Sequence, residues 1–188
     1  DIEAFMEHTA ESCARLQHAG FSGVEISAGH GHLFHQFLSA YANQRDDAWG
    51  GDFEGRCRLL VDTCQAIRQR CGNGFILGVK LPGDDGIAGS IDEVTAAAIA
   101  RHLCARVPPD FLCYAQGFHH RTLEMHLPDG SYPRLPFQAM AQRLAKQTPG
   151  VPVMALGRIT DPAEAEATLA QGAMSLVALG RALITDPA

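Results

Sequence analysis

The chain has 188 residues and a mass of 20.2 kDa, about one domain at roughly 100–200 residues per domain. Hydrophobic residues make up 46% and charged residues 19%, a globular balance that excludes a disordered chain, a collagen-like repeat and a disulfide-dense miniprotein. Lys and Arg number 15 against 21 Asp and Glu, a net charge of −6 without a basic block. Neither nucleic acid nor a membrane, which needs an apolar run of ~18–20 residues, is an expected partner.

The N-terminal Asp-Ile-Glu-Ala-Phe-Met-Glu has neither an initiator Met nor a basic run. It does not read as a signal peptide, and is expected to be the interior of a longer chain. Residues 1–19 place Ile2, Phe5, Met6, Thr9, Ala10, Cys13 and Leu16 at helical spacing, and Gly20 ends that helix. Gly23 to Ser27 reads as a strand, followed by a Gly/His-rich loop and a polar stretch. Residues 54–71 are helical and stop at Gly72-Asn73-Gly74. Phe75 to Leu81 is a near-continuous apolar strand, of the kind buried on both faces of a parallel sheet. Ser90 is the expected cap of a helix reaching about Arg106, with Glu93 completing a capping box. Asp110 to Tyr114 is a strand, 116–136 a long loop, Phe137 to Thr148 a helix and Val151 to Leu156 a strand. Asp161-Pro162 opens a helix ending at Gly172, and Ser175 to Leu179 is the last strand.

Six Cys (13, 57, 64, 71, 104 and 113) include no Cys-x-x-Cys, so no zinc ribbon or redox pair is visible. Cys57, Cys64 and Cys71 recur every seven residues on one helical face. They read as small buried apolar groups rather than a metal stripe, and free thiols point to a reducing, cytoplasmic compartment.

Five β units separated by helices imply a parallel sheet. An open doubly wound sheet and part of an eight-stranded barrel both fit, and a full barrel needs ~250 residues. The C-terminal end favours the barrel. Ala155-Leu-Gly-Arg158 is echoed by Ala178-Leu-Gly-Arg181. Each is an apolar strand followed by Gly, which lets backbone approach a ligand, and Arg, whose fork suits phosphate. The loops after the last two strands of such a barrel form its usual phosphate site. The plainer reading is a pair of salt-bridged Arg on the rim. No Gly-x-Gly-x-x-Gly follows a strand and no Walker A sequence occurs.

The loop after the first strand carries the most specific pattern. His30-Gly31-His32 lies just past a strand end, where imidazoles can bind a substrate oxygen, move a proton or pair on a metal. His35, between Leu33-Phe34 and Phe37-Leu38, reads as packing. Gly20-Phe-Ser-Gly-Val-Glu-Ile-Ser27, then His30-Gly-His-Leu-Phe-His-Gln-Phe-Leu-Ser39, then Asn43-Gln-Arg-Asp-Asp-Ala-Trp-Gly-Gly51 and Arg56 together resemble the Old Yellow Enzyme family of FMN-dependent oxidoreductases. That family includes dienoyl-CoA reductases and amine-demethylating flavoenzymes. The resemblance runs through the Gly-Arg pair and implies strands four to eight of a TIM (β/α)8 barrel, one partial FMN-binding domain over 1–188 with the N-terminal units absent.

By this resemblance FMN is the cofactor and NAD(P)H the expected reductant, with any iron–sulfur cluster outside this chain. Ser27 and His30 fall at the substrate-anchoring positions. His32 takes the place of a proton-donating Tyr, and His119 falls near an active-site His of the dienoyl-CoA reductases. Lys80 stands where a basic residue contacts the flavin ring, and Gly157, Arg158, Gly180 and Arg181 where the phosphate is held. His-x-His-Leu looks more like members acting on N-methylated amines than simple enone reductases. Arg45, Asp46, Trp49, Gly50, Gly51 and Arg56 match a loop signature expected to be a buried salt-bridged turn. His120 and His126 are expected to be exposed. Two other readings are kept: a metal-dependent barrel hydrolase using His-x-His, and an inactive barrel piece whose open edges self-associate.

Overall fold

The computed structural model describes residues 1–187. One sheet holds five strands in spatial order β1 (Gly23–Ser27), β2 (Ile76–Asp84), β3 (Phe111–Gln116), β4 (Val153–Ala155) and β5 (Leu176–Val177). Every neighbouring pair is parallel, so each connection must cross back over the sheet, and helices supply the crossings. The helices are α1 (Ile2–His18), α2 (Leu33–Leu38), α3 (Phe53–Cys71), α4 (Glu93–Arg106), α5 (Leu123–His126), α6 (Gln138–Ala145), α7 (Pro162–Ala170) and α8 (Arg181–Thr185).

Register decides which face is dry. Val24 pairs with Leu77, Ile26 with Val79, and Leu112 with Val153; these, with Leu81 and Tyr114, join the buried core formed with the helices. α3 contributes Cys57, Leu60, Cys64, Ile67 and Cys71 from one face, and α1 adds Ala10 and Cys13. The seven-residue Cys repeat is therefore packing, as its spacing indicated. The other face carries Glu25, Ser27, Lys80, Phe111, Cys113 and Met154, alternate residues of the same strands. The Phe111 ring lies across Gly78, where a Cβ would meet it at 2.0 Å. Ile76 and Leu176, also on this face, are 45% and 40% exposed.

Helix ends follow capping chemistry. The Asp52 carboxylate accepts from Gly55 N at 2.7 Å, and α3 stops at Gly72 with φ 74. The cap of α4 is Asp92, which accepts from Thr95 N at 2.8 Å, not Ser90 as the capping-box pattern indicated. Ser90 Oγ instead donates to Asp85 Oδ2 at 2.5 Å. β2 runs past Leu81 to Asp84, with a register shift at Pro82/Asp84, so Lys80 is inside the strand and not at its end. The apolar pattern stopped at Leu81 because Pro82-Gly83-Asp84 reads as a turn. α2 and α5 occupy stretches expected to be loop. The signature loop makes its tight turn, with Gly51 at φ 68 and its N–H donating to Arg45 O at 2.8 Å. Its ion pair is Arg45–Asp47, with both side chains close to half exposed, rather than a buried pair with Asp46. Among the described residues no helix is long and apolar enough to cross a membrane.

Candidate active site at the carboxyl ends of the strands

All five strands run the same way, so the segments after them gather at one edge, where parallel α/β sheets bind ligands. A cavity of about 540 Å³ opens there. His30, His126, Phe137, Gly157, Arg158, Gly180 and Arg181 line it. Segments more than a hundred residues apart in sequence thus meet at one concavity. A second cavity of about 670 Å³ lies elsewhere, against Arg68, Asn73, Pro108 and Asp110. There Arg68 is already engaged by Phe75 O and the Asp110 carboxylate, both at 2.7 Å.

His30 adopts φ 62, a left-handed conformation uncommon outside Gly but commoner for His than for most residues. Its ring meets the His126 ring with centroids 3.7 Å apart, tilted by 66°. Burial, then the neighbouring His126, Lys80, His32 and His35, depress its pKa to about 3. Near neutral pH it is an uncharged imidazole, with one N–H to donate and one lone pair to accept. His126 is not an exposed loop residue: it is half-buried, with its Nδ1 buried and unpartnered. Burial, followed by His119, His32 and Lys80, lowers its pKa too. Only the tertiary approach of α5 to the His30 loop reveals it; a four-residue helix leaves no period in the sequence.

The remaining candidates are placed unevenly. His119 is exposed; its ring centroid is 5.8 Å from that of His126, and its N–H donates to His30 O at 3.2 Å. His32 caps α2 without a side-chain bond and is exposed. Ser27 closes β1 and pairs in register with Lys80. Lys80 Nζ bonds Glu25 Oε1 at 2.7 Å, each side chain about a quarter exposed. The resemblance gave this charge a flavin ring to contact; its partner here is a neighbouring strand's carboxylate, on the face shared with Ser27. Cys113 flanks Lys80 on the other side, from β3, its thiol pushed up to about 12, chiefly by burial.

Arg158, at φ 50, donates to Tyr132 O and to Pro133 O. Arg181 donates to Pro128 O at 2.9 Å. Among the described residues neither guanidinium forms an ion pair with a carboxylate, so the rim salt bridges of the plainer reading do not occur. Gly157, at φ 102, lies against Phe137, where a Cβ would meet the ring at 2.6 Å. Two cations without acid partners, beside glycine backbone in one cavity, suit a phosphate dianion, and a neutral imidazole beyond them suits a polar organic group. A flavin mononucleotide, phosphate at one end and polar ring edge at the other, fits this donor set. Among the described residues no three His, Cys, Asp or Glu converge as metal ligands.

A family model described as NADH:flavin oxidoreductase / NADH oxidase matches residues 1–188. The chain belongs to that family. Old Yellow Enzyme members are among its structural neighbours, which bears out the resemblance seen in the sequence. The chain is 34% identical to N,N-dimethylglycine/sarcosine dehydrogenase of Chromohalobacter salexigens, over 100% of this chain and 27% of the relative. A 2-naphthoyl-CoA reductase in complex with 2-naphthoyl-CoA superposes with a TM-score of 0.89 at 27% identity, over 99% of this chain and 28% of that one. The Old Yellow Enzyme homologue from Zymomonas mobilis superposes at 0.71 with 25% identity, over 99% of this chain and 50% of that one. The chain thus spans about a quarter of the length of the curated relative. Membership removes the basis of the metal-hydrolase reading and agrees with the parallel α/β sheet.

Proposed function

We propose that the protein is an FMN-dependent oxidoreductase of the NAD(P)H:flavin type, acting on a small molecule. In this reading the chain supplies strands four to eight of a (β/α)8 barrel, as one partial domain. The observation that carries the reading is the single cavity joining His30 to both Gly-Arg loops. Bound flavin would supply the hydride and electron-pair chemistry. Arg158 and Arg181 would hold the phosphate in place of the carbonyls of Tyr132, Pro133 and Pro128 that they now bond, with the open backbone of Gly180 beside them and Gly157 seated against Phe137. Lys80 puts positive charge on the sheet's inner face, where it favours an electron-rich ring edge, while Glu25 holds it in place. His30 and Ser27 anchor the substrate. His30, kept neutral, donates or accepts a hydrogen bond without bringing a charge. His32 and His119, at the solvent edge, pass a proton between substrate and water.

Oxidative demethylation of an N-methylated amine is the first substrate reading, supported by the His-x-His-Leu pattern and the dehydrogenase relative. Reduction of an activated C=C bond is the second, supported by the naphthoyl-CoA reductase superposition. Six free thiols accord with a reducing cytoplasm. The test is the visible spectrum of the full-length gene product, desalted after incubation with FMN. Stoichiometric flavin absorbance is expected. Bleaching by N-methylated amines selects demethylation, and bleaching by NAD(P)H reversed by an enone selects reduction. A colourless full-length protein overturns the flavin reading.

A further inference from the structure

The loop carrying His30 is fastened by a buried pair that the proposed chemistry does not use. His35, on α2, and Asp85, just after β2, have side chains at 0% exposure. His35 Nδ1 lies 2.9 Å from Gly31 N, and Nε2 lies 3.0 Å from Asp85 Oδ2. A backbone N–H can only donate, so Nδ1 accepts and Nε2 carries the proton that Asp85 receives. Asp85 Oδ2 also accepts from Ser90 Oγ at 2.5 Å and Ile91 N at 3.1 Å, while Oδ1 is buried without a partner. A buried carboxylate is expensive for packing alone, and what this one orients is His35.

Both loops of the site lead back to this pair. Gly31, at φ 81, follows His30 at φ 62; glycine enters this region freely, but a left-handed His persists only when its surroundings over-determine it. The bond from Gly31 N to His35 is one such constraint. On the other side, Asp85 O accepts from Thr122 Oγ1 at 2.8 Å, which accepts from Phe118 N at 2.7 Å. The Phe118 ring stands edge-on to His35 with centroids 4.8 Å apart.

We propose that His35, oriented by Asp85, is a positioning residue for the substrate-anchoring His30: its Nδ1 holds the His30-Gly31 turn in the left-handed form that aims His30 at His126 and the cavity. The catalytic consequence rests on the proposed function; the conformational one does not.

The experiment uses the full-length gene product and separates the two bonds of His35. In His35→Asn the amide oxygen takes the place of Nδ1 and keeps the bond from Gly31, and the bond to Asp85 is lost. In His35→Gln the amide nitrogen takes the place of Nε2 and keeps the bond to Asp85, and Gly31 loses its acceptor. Amide hydrogen exchange at Gly31 needs no flavin. It is expected to be slow in the wild type and in His35→Asn, and about tenfold faster in His35→Gln, the effect of one lost hydrogen bond. Equal exchange in all three proteins overturns the proposal.

With FMN bound and NADH as the probe, His35→Gln is expected to raise KM while leaving kcat nearly unchanged, and His35→Asn to stay close to wild type. A merely structural pair predicts the reverse order, because His35→Asn is the variant that strands Asp85. If neither variant folds, ring nitrogen chemical shifts of wild-type His35 decide: protonated Nε2 with bare Nδ1 supports the proposal, and protonated Nδ1 overturns it. A wild-type protein that retains no FMN overturns the function reading alone, and Gly31 exchange still decides the role of His35.

Discussion

His30 combines a left-handed backbone with a pKa of about 3, and its pH dependence has a definite sign. In the unfolded chain it takes a proton near 6.5; in the fold it resists until about pH 3. Between those values the unfolded state binds more protons, so stability falls as pH falls. His30→Asn removes the titration, and Asn tolerates the left-handed region. The variant should show a shallower loss of melting temperature from pH 6.5 to 3, not a flat line, because His126 and His102 are also depressed by burial. Parallel curves would show that His30 is not held neutral. The guanidinium pair makes a separate prediction. Arg158→Ala or Arg181→Ala should weaken FMN about 10–100-fold, the worth of hydrogen bonds to a charged group at tenfold per 1.4 kcal/mol. Riboflavin, which lacks the phosphate, should bind unchanged. Equal loss of both flavins would place these Arg away from the phosphate. At this scale His30 and the Gly-Arg pair were legible from local motifs. His126 and Asp85 were not, because their partners lie 96 and 50 residues away.

Among the elements, α3 was the most legible. Its apolar period repeats over five turns, and both its ends carry capping residues. Its Cys stripe is inert packing: burial pushes the Cys57 and Cys64 thiols up to about 12, where little thiolate exists to react. A thiol-reactive dye should therefore label the native protein slowly and reach all six Cys only on unfolding. Cys64→Ser places a hydroxyl in the core and should cost about 1–3 kcal/mol in a denaturant titration. Prompt labelling of Cys64 in the native state would contradict the packing role. Leu81→Ala, at a side chain with no exposed area, should cost about 2–5 kcal/mol by the same assay. The helix starts were harder to read. Ser90 and Asp92 are both good caps two residues apart, and Ser90 lost the role because the buried Asp85 carboxylate engages its hydroxyl. α2 escaped notice because six residues give too few turns for a period, with Leu33 exposed and His35 buried.

For the whole molecule, the two sheet faces differ. One packs under helices. The other, which carries the Glu25–Lys80 pair, leaves Ile76 and Leu176 well exposed, and β1 and β5 each have one unpaired edge, a template for further pairing. The 188 residues produced alone should sediment above the 20.2 kDa monomer as concentration rises, and Leu176→Lys should shift them back toward it. A concentration-independent monomer would show that face and edges to be protected. The sequence by itself determined the alternation of strand and helix, the parallel sheet, the family and the two Gly-Arg motifs, because each is written in local period or contiguous spacing. Tertiary structure decided the rest. It paired Lys80 with Glu25 rather than leaving it free, drew His126 against His30, and set His35 and Asp85 beneath the loop they hold. Those outcomes depend on distances between segments remote in the chain, which only the packed sheet and its crossovers define.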